Sequence, residues 1–264
     1  QGNIQPRTQT NLTSEVAGRV VAVSDKFKVG GFFNKGEVLL TIDSVNYEVA
    51  VIQAQSRLGV AKANLIEEQA RAQQAQEEWL LSNKTLDLAP LMALRKPNLQ
   101  KAQAEIKAAE ADLKHAKIKL ARTEIVAPYD AMIKAKQVDV GQYVSTGSML
   151  ATTFAVDYAE ARLPVRQRDL LFLNLPKINQ LSTEYTKADL TLNIGHQIFH
   201  WPSVITRYEG VVDSASRVHY IIAQVDDPYA ILTEHNKQVL PMGSFVNADI
   251  FGKTVDEVLA IPRS

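Results

Sequence analysis

The 264-residue sequence contains no cysteine. Disulfide staples, thiol nucleophiles and cysteine-rich metal sites are thereby excluded. The compartment stays open, because large exported domains also fold without disulfides. Net charge is absent as well, with 29 basic and 29 acidic side chains, so no chain-wide field attracts nucleic acid or an anionic membrane. No apolar run approaches the roughly 18 residues of a membrane span, and residues 1–10 are polar. A signal peptide or anchor is therefore expected outside this chain, and the abrupt close at Ile261, Pro262, Arg263 and Ser264 points to further chain there too. What is present is ordinary for a folded soluble protein, 46% hydrophobic and 22% charged, at a length suited to two or three small domains.

Residues 44–123 organise the rest. Val51, Ala54, Leu58, Ala61, Leu65, Ala72, Ala75 and Trp79 recur at spacings of three and four, with Glu68 the one charged intruder. Leu99, Ala102, Ile106, Ala109, Leu113, Ala116 and Leu120 repeat the pattern. Both are coiled-coil seams, and alanine at so many seam positions lets two antiparallel helices approach closely. The faces between the seams, rich in Gln, Glu, Lys and Ala, are expected to face solvent. Arms of nearly equal length follow if Pro90 sits in the first turn of the second helix, with Pro97 bending it and residues 82–89 forming the tip. At full helical rise the hairpin is roughly 50–57 Å long.

On either side of this rod lie two related half-motifs, residues 13–43 and 124–153. Gly30 and Gly36 in the first, Gly141 and Gly147 in the second, share one spacing, and an apolar pair follows each second glycine. This is an internal repeat split by an insertion. The glycines suit tight turns of positive φ, and the alternating Val, Leu and Ile suit small half-buried strands. Downstream, residues 190–194, 197–201, 203–208, 220–225 and 245–251 read as short antiparallel strands punctuated by Gly195, Pro202, Gly210, Pro228 and Pro241. Leu170, Leu171 and Leu173 are at helical spacing and read as a plug for one end of that barrel.

The paired half-motifs resemble the halves of a lipoyl or biotinyl carrier domain. The helical rod at their junction resembles the periplasmic adaptor, or membrane fusion, proteins of the HlyD family. Residues 158–170, Trp201, residues 208–213 with Arg217, residues 225–229 and residues 240–246 are similar, in order, to barrel landmarks of adaptors serving RND-type exporters. The implied fold is mainly β: a lipoyl-like sandwich (13–43 with 124–153) split by an α-helical coiled-coil hairpin (44–123). A β-barrel (154–251) and a partial membrane-proximal or barrel-edge region (1–12 with 252–264) complete it. The resemblance implies a periplasmic location and two partners, an inner-membrane RND-type transporter and an outer-membrane TolC-type channel. It also implies self-association into a ring, as a trimer or hexamer. Duct-docking adaptors place an Arg, a Leu and a Ser near the hairpin tip. Here Leu80 or Leu81 and Ser82 or Thr85 match, while Glu78 stands near the place of the Arg.

The tip residues Leu81, Ser82, Leu86, Leu88, Leu91 and Arg95 form the candidate docking surface. Leu86, Leu88, Leu91, Met92 and Leu94 are too many apolar side chains for a hairpin end to bury, and such patches mark partners. Arg95 and Lys96 flank them as candidates for pairing with a partner's carboxylates.

Chemistry is otherwise sparse. His196 and His200 have ligand spacing for a helix, but the segment is strand-like, where i and i+4 lie about 13 Å apart. Lys134 is the nearest imitation of a carrier lysine, yet it sits inside the second half-motif. Gly30-Gly31 lacks the Lys-Ser/Thr of a phosphate loop. Asp226-Asp227 reads as a turn and Glu67-Glu68 as a solvated helix face, not as acid–base pairs. No cofactor, metal or catalytic set is indicated. The competing reading is a lipoyl/biotinyl-like carrier or coiled-coil scaffold without a transport role, and a carrier would keep the junction between its halves short.

Overall fold

The computed structural model describes residues 1–82, 85, 89–175, 186–213, 218–231 and 238–253. The chain opens with β1 (Gly2–Pro6) and β2 (Gln9–Thr13), then β3 (Gly18–Val23), β4 (Phe32–Phe33) and β5 (Val38–Ile42). It leaves the sheets for α1 (Val45–Leu81) and α2 (Lys96–Ala121). It returns through β6 (Glu124–Val126), β7 (Ala131–Lys136), β8 (Tyr143–Val144) and β9 (Met149–Ala155). The remaining strands are β10 (Tyr158–Arg166), β11 (Thr186–Ile194), β12 (Gln197–Val212), β13 (Val218–Asp226) and β14 (Phe245–Ile250). The architecture is mainly β, with a closed six-stranded barrel and a helical hairpin.

Two four-stranded sheets, β2-β9-β7-β4 and β6-β5-β3-β8, share one apolar core. The internal repeat is visible in that core. Phe27 and Val138, Phe33 and Val144, and Leu39 and Leu150 are equivalent pairs, and all six are buried. Backbone bonds are exchanged reciprocally between the halves. The Gly30 N–H donates to Ile133 O at 2.9 Å and the Gly141 N–H to Val20 O at 2.8 Å. The Gly36 N–H donates to Ala127 O at 2.8 Å and that of Gly147 to Ser14 O at 2.7 Å. These four glycines have φ between +80° and +87°, a region that side chains with a Cβ rarely enter. Each half supplies the turns that cap the other, so neither half buries its apolar face alone.

The barrel runs β1-β10-β13-β12-β11-β14 and closes through β1 against β14. Alternation along β10 sends Ala159, Ala161, Leu163 and Val165 inward, where they meet Leu190, Trp201, Ile205 and Ile221. On the outer side Arg162 forks onto Glu209 (2.8 and 2.9 Å) and lies 3.4 Å from the Tyr220 ring centroid.

Several expectations are corrected here. The polar lead-in, expected as a membrane-proximal or barrel-edge segment, is divided between barrel and sandwich: Gly2–Pro6 is a barrel strand and Gln9–Thr13 a sandwich strand, because extended polar residues still complete two ladders. Pro202 does not end a strand. β12 passes through it: Pro202 stands opposite Asp189 of β11 only, because pairing with β13 begins at Val204, so the residue without an N–H occupies a singly paired position. Gly210 is a bulge residue, φ +70°, inside a register shift between Tyr208 and Val212. The expected plug helix is a single 3-10 turn, Leu170–Phe172. Leu170 and Leu173 pack on the barrel core, whereas Leu171 is exposed. Arg217 and the expected return over 254–261 lie outside the described residues.

Candidate functional site: the helical hairpin and its tip

The insertion point is narrow. β5 and β6 are antiparallel neighbours, with Val38 opposite Val126 and Thr41 opposite Glu124, and the whole hairpin is the connection between them. Its root is tied to the sheets by Tyr47, whose hydroxyl donates to Ala17 O at 2.7 Å, and by an Arg122–Glu15 ion pair at 2.8 Å. From there α1 rises about 55 Å at 1.5 Å per residue over its 37 residues.

Every residue of the two expected seams is buried or half-buried. Ala54, Ala61 and Ala72 on α1 and Ala102, Ala109 and Ala116 on α2 are the buried ones. Small side chains let the axes come close, and the larger Leu58, Leu65, Ile106 and Leu113 straddle them, half-exposed. A thin two-helix rod has no deeper core than this.

The arms are unequal, which corrects the expectation of matched lengths. α2 starts at Lys96 and has 26 residues. Pro90 does open a helical turn, with the Leu94 N–H on Pro90 O, but the turn closes at once. The Lys96 N–H bonds Leu91 O and the Arg95 N–H bonds Met92 O, both at 3.1 Å, with Arg95 left-handed at φ +53°. That is a Schellman closure. Pro97 bars the turn from running on unbroken, since a helix continuing through residue 97 would lack an N–H and drive the ring into the carbonyl four residues back, but it does not dictate which residue turns left-handed.

The residue in the left-handed position is held by the seam's charged intruder. Arg95 Nε and Nη2 donate to the two carboxylate oxygens of Glu68 at 2.6 and 3.0 Å. The Arg95 hydrogen bonds hold the Glu68 carboxyl below the usual carboxylate range. Glu68 is thus a seam residue with a partner on the opposite arm, not part of a solvated face. Arg95, read from sequence as a charge awaiting a partner, is engaged within the hairpin.

Of the tip residues, Leu81, Leu91 and Met92 are 86%, 61% and 73% exposed, while Leu94 is only 4% exposed and forms the small tip core. Ser82 ends α1, its hydroxyl donating to Trp79 O at 2.6 Å. The Trp79 indole N–H reaches Thr85 O at 3.2 Å. Leu86 and Leu88 lie outside the described residues.

A second seam went unread in the sequence. Val45, Val49, Ile52, Ser56, Gly59, Ala63 and Ile66 follow one another at spacings of four and three along α1, and all are exposed. On α2, Ala104, Ala108, Ala111, His115 and Ile118 do the same. The signal was present as a heptad in a second register, hidden beneath the stronger one that joins the arms.

Other candidates dissolve into structure. His200 Nδ1 lies 2.6 Å from Asp189 Oδ2 across the β11–β12 pair, and no group of three metal-ligating side chains occurs among the described residues. Asp227 sits in a turn at φ +44°. Lys134 lies on β7, within the second half-motif and not at the junction where a carrier lysine stands, and is bonded to Gln9 Oε1 at 2.9 Å.

A family model described as "RND MFP, barrel-sandwich hybrid domain" matches residues 8–156, more than half of the chain. The chain belongs to the RND membrane fusion protein family. It is 30% identical over 268 aligned residues to the multidrug resistance protein MdtA of Proteus mirabilis, covering all of this chain and 60% of that protein. It is 33% identical over 144 residues to the uncharacterized protein YdhJ of Escherichia coli K12, covering 54% of this chain and 48% of that one. The chain therefore spans about half the length of the curated relatives it matches. Among solved structures, the membrane fusion protein Spr0693 from Streptococcus pneumoniae R6 superposes with a TM-score of 0.66 at 13% identity, over 96% of this chain and 98% of that one. A MacA–MexA chimera carrying the Pseudomonas aeruginosa MexA α-hairpin domain gives 0.63 at 21% identity, over 99% and 82%. These two likenesses establish the fold of this membrane fusion protein chain. No helix among its described residues is long and apolar enough to cross a membrane.

Proposed function

We propose that this membrane fusion protein is the periplasmic adaptor of a tripartite export system, joining an inner-membrane RND-type transporter to an outer-membrane TolC-type channel. The observation that carries the reading is the hairpin itself. A rod about 55 Å long inserted between two adjacent strands touches the sandwich core only at its root, through Tyr47, and ends in exposed Leu81, Leu91 and Met92. Its function is reach and contact. The two sheets act as a lipoyl-like base and the alanine seams as a coiled coil stiff enough to transmit position. The adaptor transforms no substrate. The carrier reading loses its main support, since the junction a carrier keeps short is occupied by the hairpin.

The second heptad supports side-by-side assembly. An exposed stripe of β-branched and small residues on α1 and one of alanines on α2 suit packing α1 of one copy against α2 of the next. Such a heterologous contact closes into a ring when successive rotations add to a full turn. A trimer or hexamer fits a channel at the centre.

Docking is tested by Leu91→Asp and Leu81→Asp. Both side chains are exposed, so melting is expected to stay within about 1 °C of the parent, as surface changes seldom exceed 0.5 kcal/mol. Site-specific cross-linking of the tip to the outer-membrane channel, and export itself, are expected to fall. Normal export by both variants refutes the tip as the docking surface.

A further inference from the structure

A cavity of about 720 Å³ lies away from the hairpin, at the junction of barrel and sandwich. The barrel side contributes β1 and the turns around Tyr229 and Met242. The sandwich side contributes Val29, Met132 and Phe154. Two short connections, around residues 7–8 and 156–157, are the covalent links across this junction, and an Arg7–Asp157 ion pair at 2.8 Å braces them. The volume is that of a small-molecule site.

The lining has a definite chemical character. Its body is apolar, and the Phe154 and Tyr229 rings, one from each side, stand 6.0 Å apart between centroids. Lys134 is the only charged residue among those lining the cavity, and no acidic residue lines it. Its ammonium donates one hydrogen bond, to Gln9 Oε1 at 2.9 Å, and retains two further donors. The Tyr229 hydroxyl accepts the Met242 N–H at 3.4 Å, and its own proton has no acceptor among the described residues. Burial raises the Tyr229 phenol above its usual pKa, so it remains a neutral donor. The cavity thus offers unspent donors and one positive charge at the edge of an aromatic wall, with no counter-ion of its own.

We propose that this junction cavity binds an amphipathic organic anion, a flat apolar body bearing a sulfonate or carboxylate, with the acid group on Lys134 and Tyr229 and the body against Phe154 and Met132. The inference is independent of the docking role of the hairpin. Because such a ligand touches both units, its binding also fixes the angle between them.

A matched pair of probes tests this on the whole chain. 1-Anilinonaphthalene-8-sulfonate has the acid group, and N-phenyl-1-naphthylamine has the same rings without it. The sulfonate is expected to bind saturably at one per chain, and Lys134→Met to weaken it about tenfold or more, as for loss of a charge-assisted hydrogen bond. The uncharged amine is expected to change less than twofold. Lys134→Arg, which keeps the cation, is expected to retain sulfonate affinity within about threefold. Val29→Trp, at the exposed rim, is expected to weaken both probes. Three results overturn the proposal: no saturable sulfonate site, equal losses for both probes in Lys134→Met, or unchanged binding of both in Val29→Trp. Lys134 is exposed on its strand, and unchanged melting of each variant confirms that binding, not folding, is being read.

Discussion

Replacing Gly147 separates backbone strain from crowding, because the structure leaves only one of them available. A Cβ built at Gly147 or at Gly36 meets no atom within 4 Å, yet φ is +87° and +82°. Any cost is therefore conformational. A left-handed L-residue loses about 1–2 kcal/mol, less for Asn, which tolerates this region, and up to about 3 kcal/mol for a strained β-branched side chain. Part of the loss is offset by the reduced freedom of the unfolded chain, about 0.4–1 kcal/mol for Gly→Ala. Gly147→Asn is then expected to be nearly neutral, Gly147→Ala to cost about 1 kcal/mol, and Gly147→Val about 1–3 kcal/mol. Gly59 is the internal control. It lies within α1, again with open space around a Cβ, and Gly59→Ala is expected to stabilise the helix by about 0.8–1 kcal/mol. Urea denaturation followed by circular dichroism reads both signs. Crowding would order the Gly147 series by size, with Asn worse than Ala. That order, or a neutral Gly147→Val, refutes the half-motif turns as the source of the constraint.

Joining residue 43 to residue 124 through a short Gly-containing turn is expected to leave a cooperatively melting β protein, since β5 and β6 already pair across that gap, and to abolish export; loss of the cooperative melt would make the hairpin structurally integral. Glu68→Gln is expected to speed amide exchange over residues 90–96 while leaving the barrel unchanged. The depressed Glu68 carboxyl gives the parent the same response to acid: the tip closure is intact above the ordinary carboxylate value of 4.5 and is lost as pH falls through the lower folded value, so a tip whose protection factors do not fall once Glu68 is shown by NMR to be protonated refutes the clamp. Ile52→Glu and Ile66→Glu, both on the exposed stripe, are expected to leave melting unchanged and to lower the sedimentation coefficient of any ring formed at high concentration; a ring that persists in both variants places the contact elsewhere.

The sequence and the structure agree where the pattern is periodic and local. The alanine seams were legible because a three-four spacing has one economical solution, two helices face to face. The same logic failed at the break. Pro90 and Pro97 each permit a helix start, and the choice rests on Arg95 turning left-handed, a conformation its sequence neighbours do not announce. Only the opposite arm explains it, through a carboxylate 27 residues away in the chain. Strand ends were misread for a related reason. Pro202 and Gly210 look like punctuation in one dimension, but in a closed barrel the partner strand determines whether a missing N–H or a positive φ interrupts anything.

Glu68 and Arg95 also change how the hairpin end is to be understood. A rod whose buried seam residues are alanines has little burial to hold its last turn, and a charged residue in such a seam looks like a defect. Placed opposite Arg95, it fixes the register of the two arms instead: one bidentate pair is satisfied in only one alignment. That alignment buries Leu94 and leaves Leu91 and Met92 facing outward. The apolar tip is therefore a consequence of the clamp. The charge that the sequence offers to a partner is used internally, and the tip turns leucine and methionine outward, with Lys96 an exposed cation beside them.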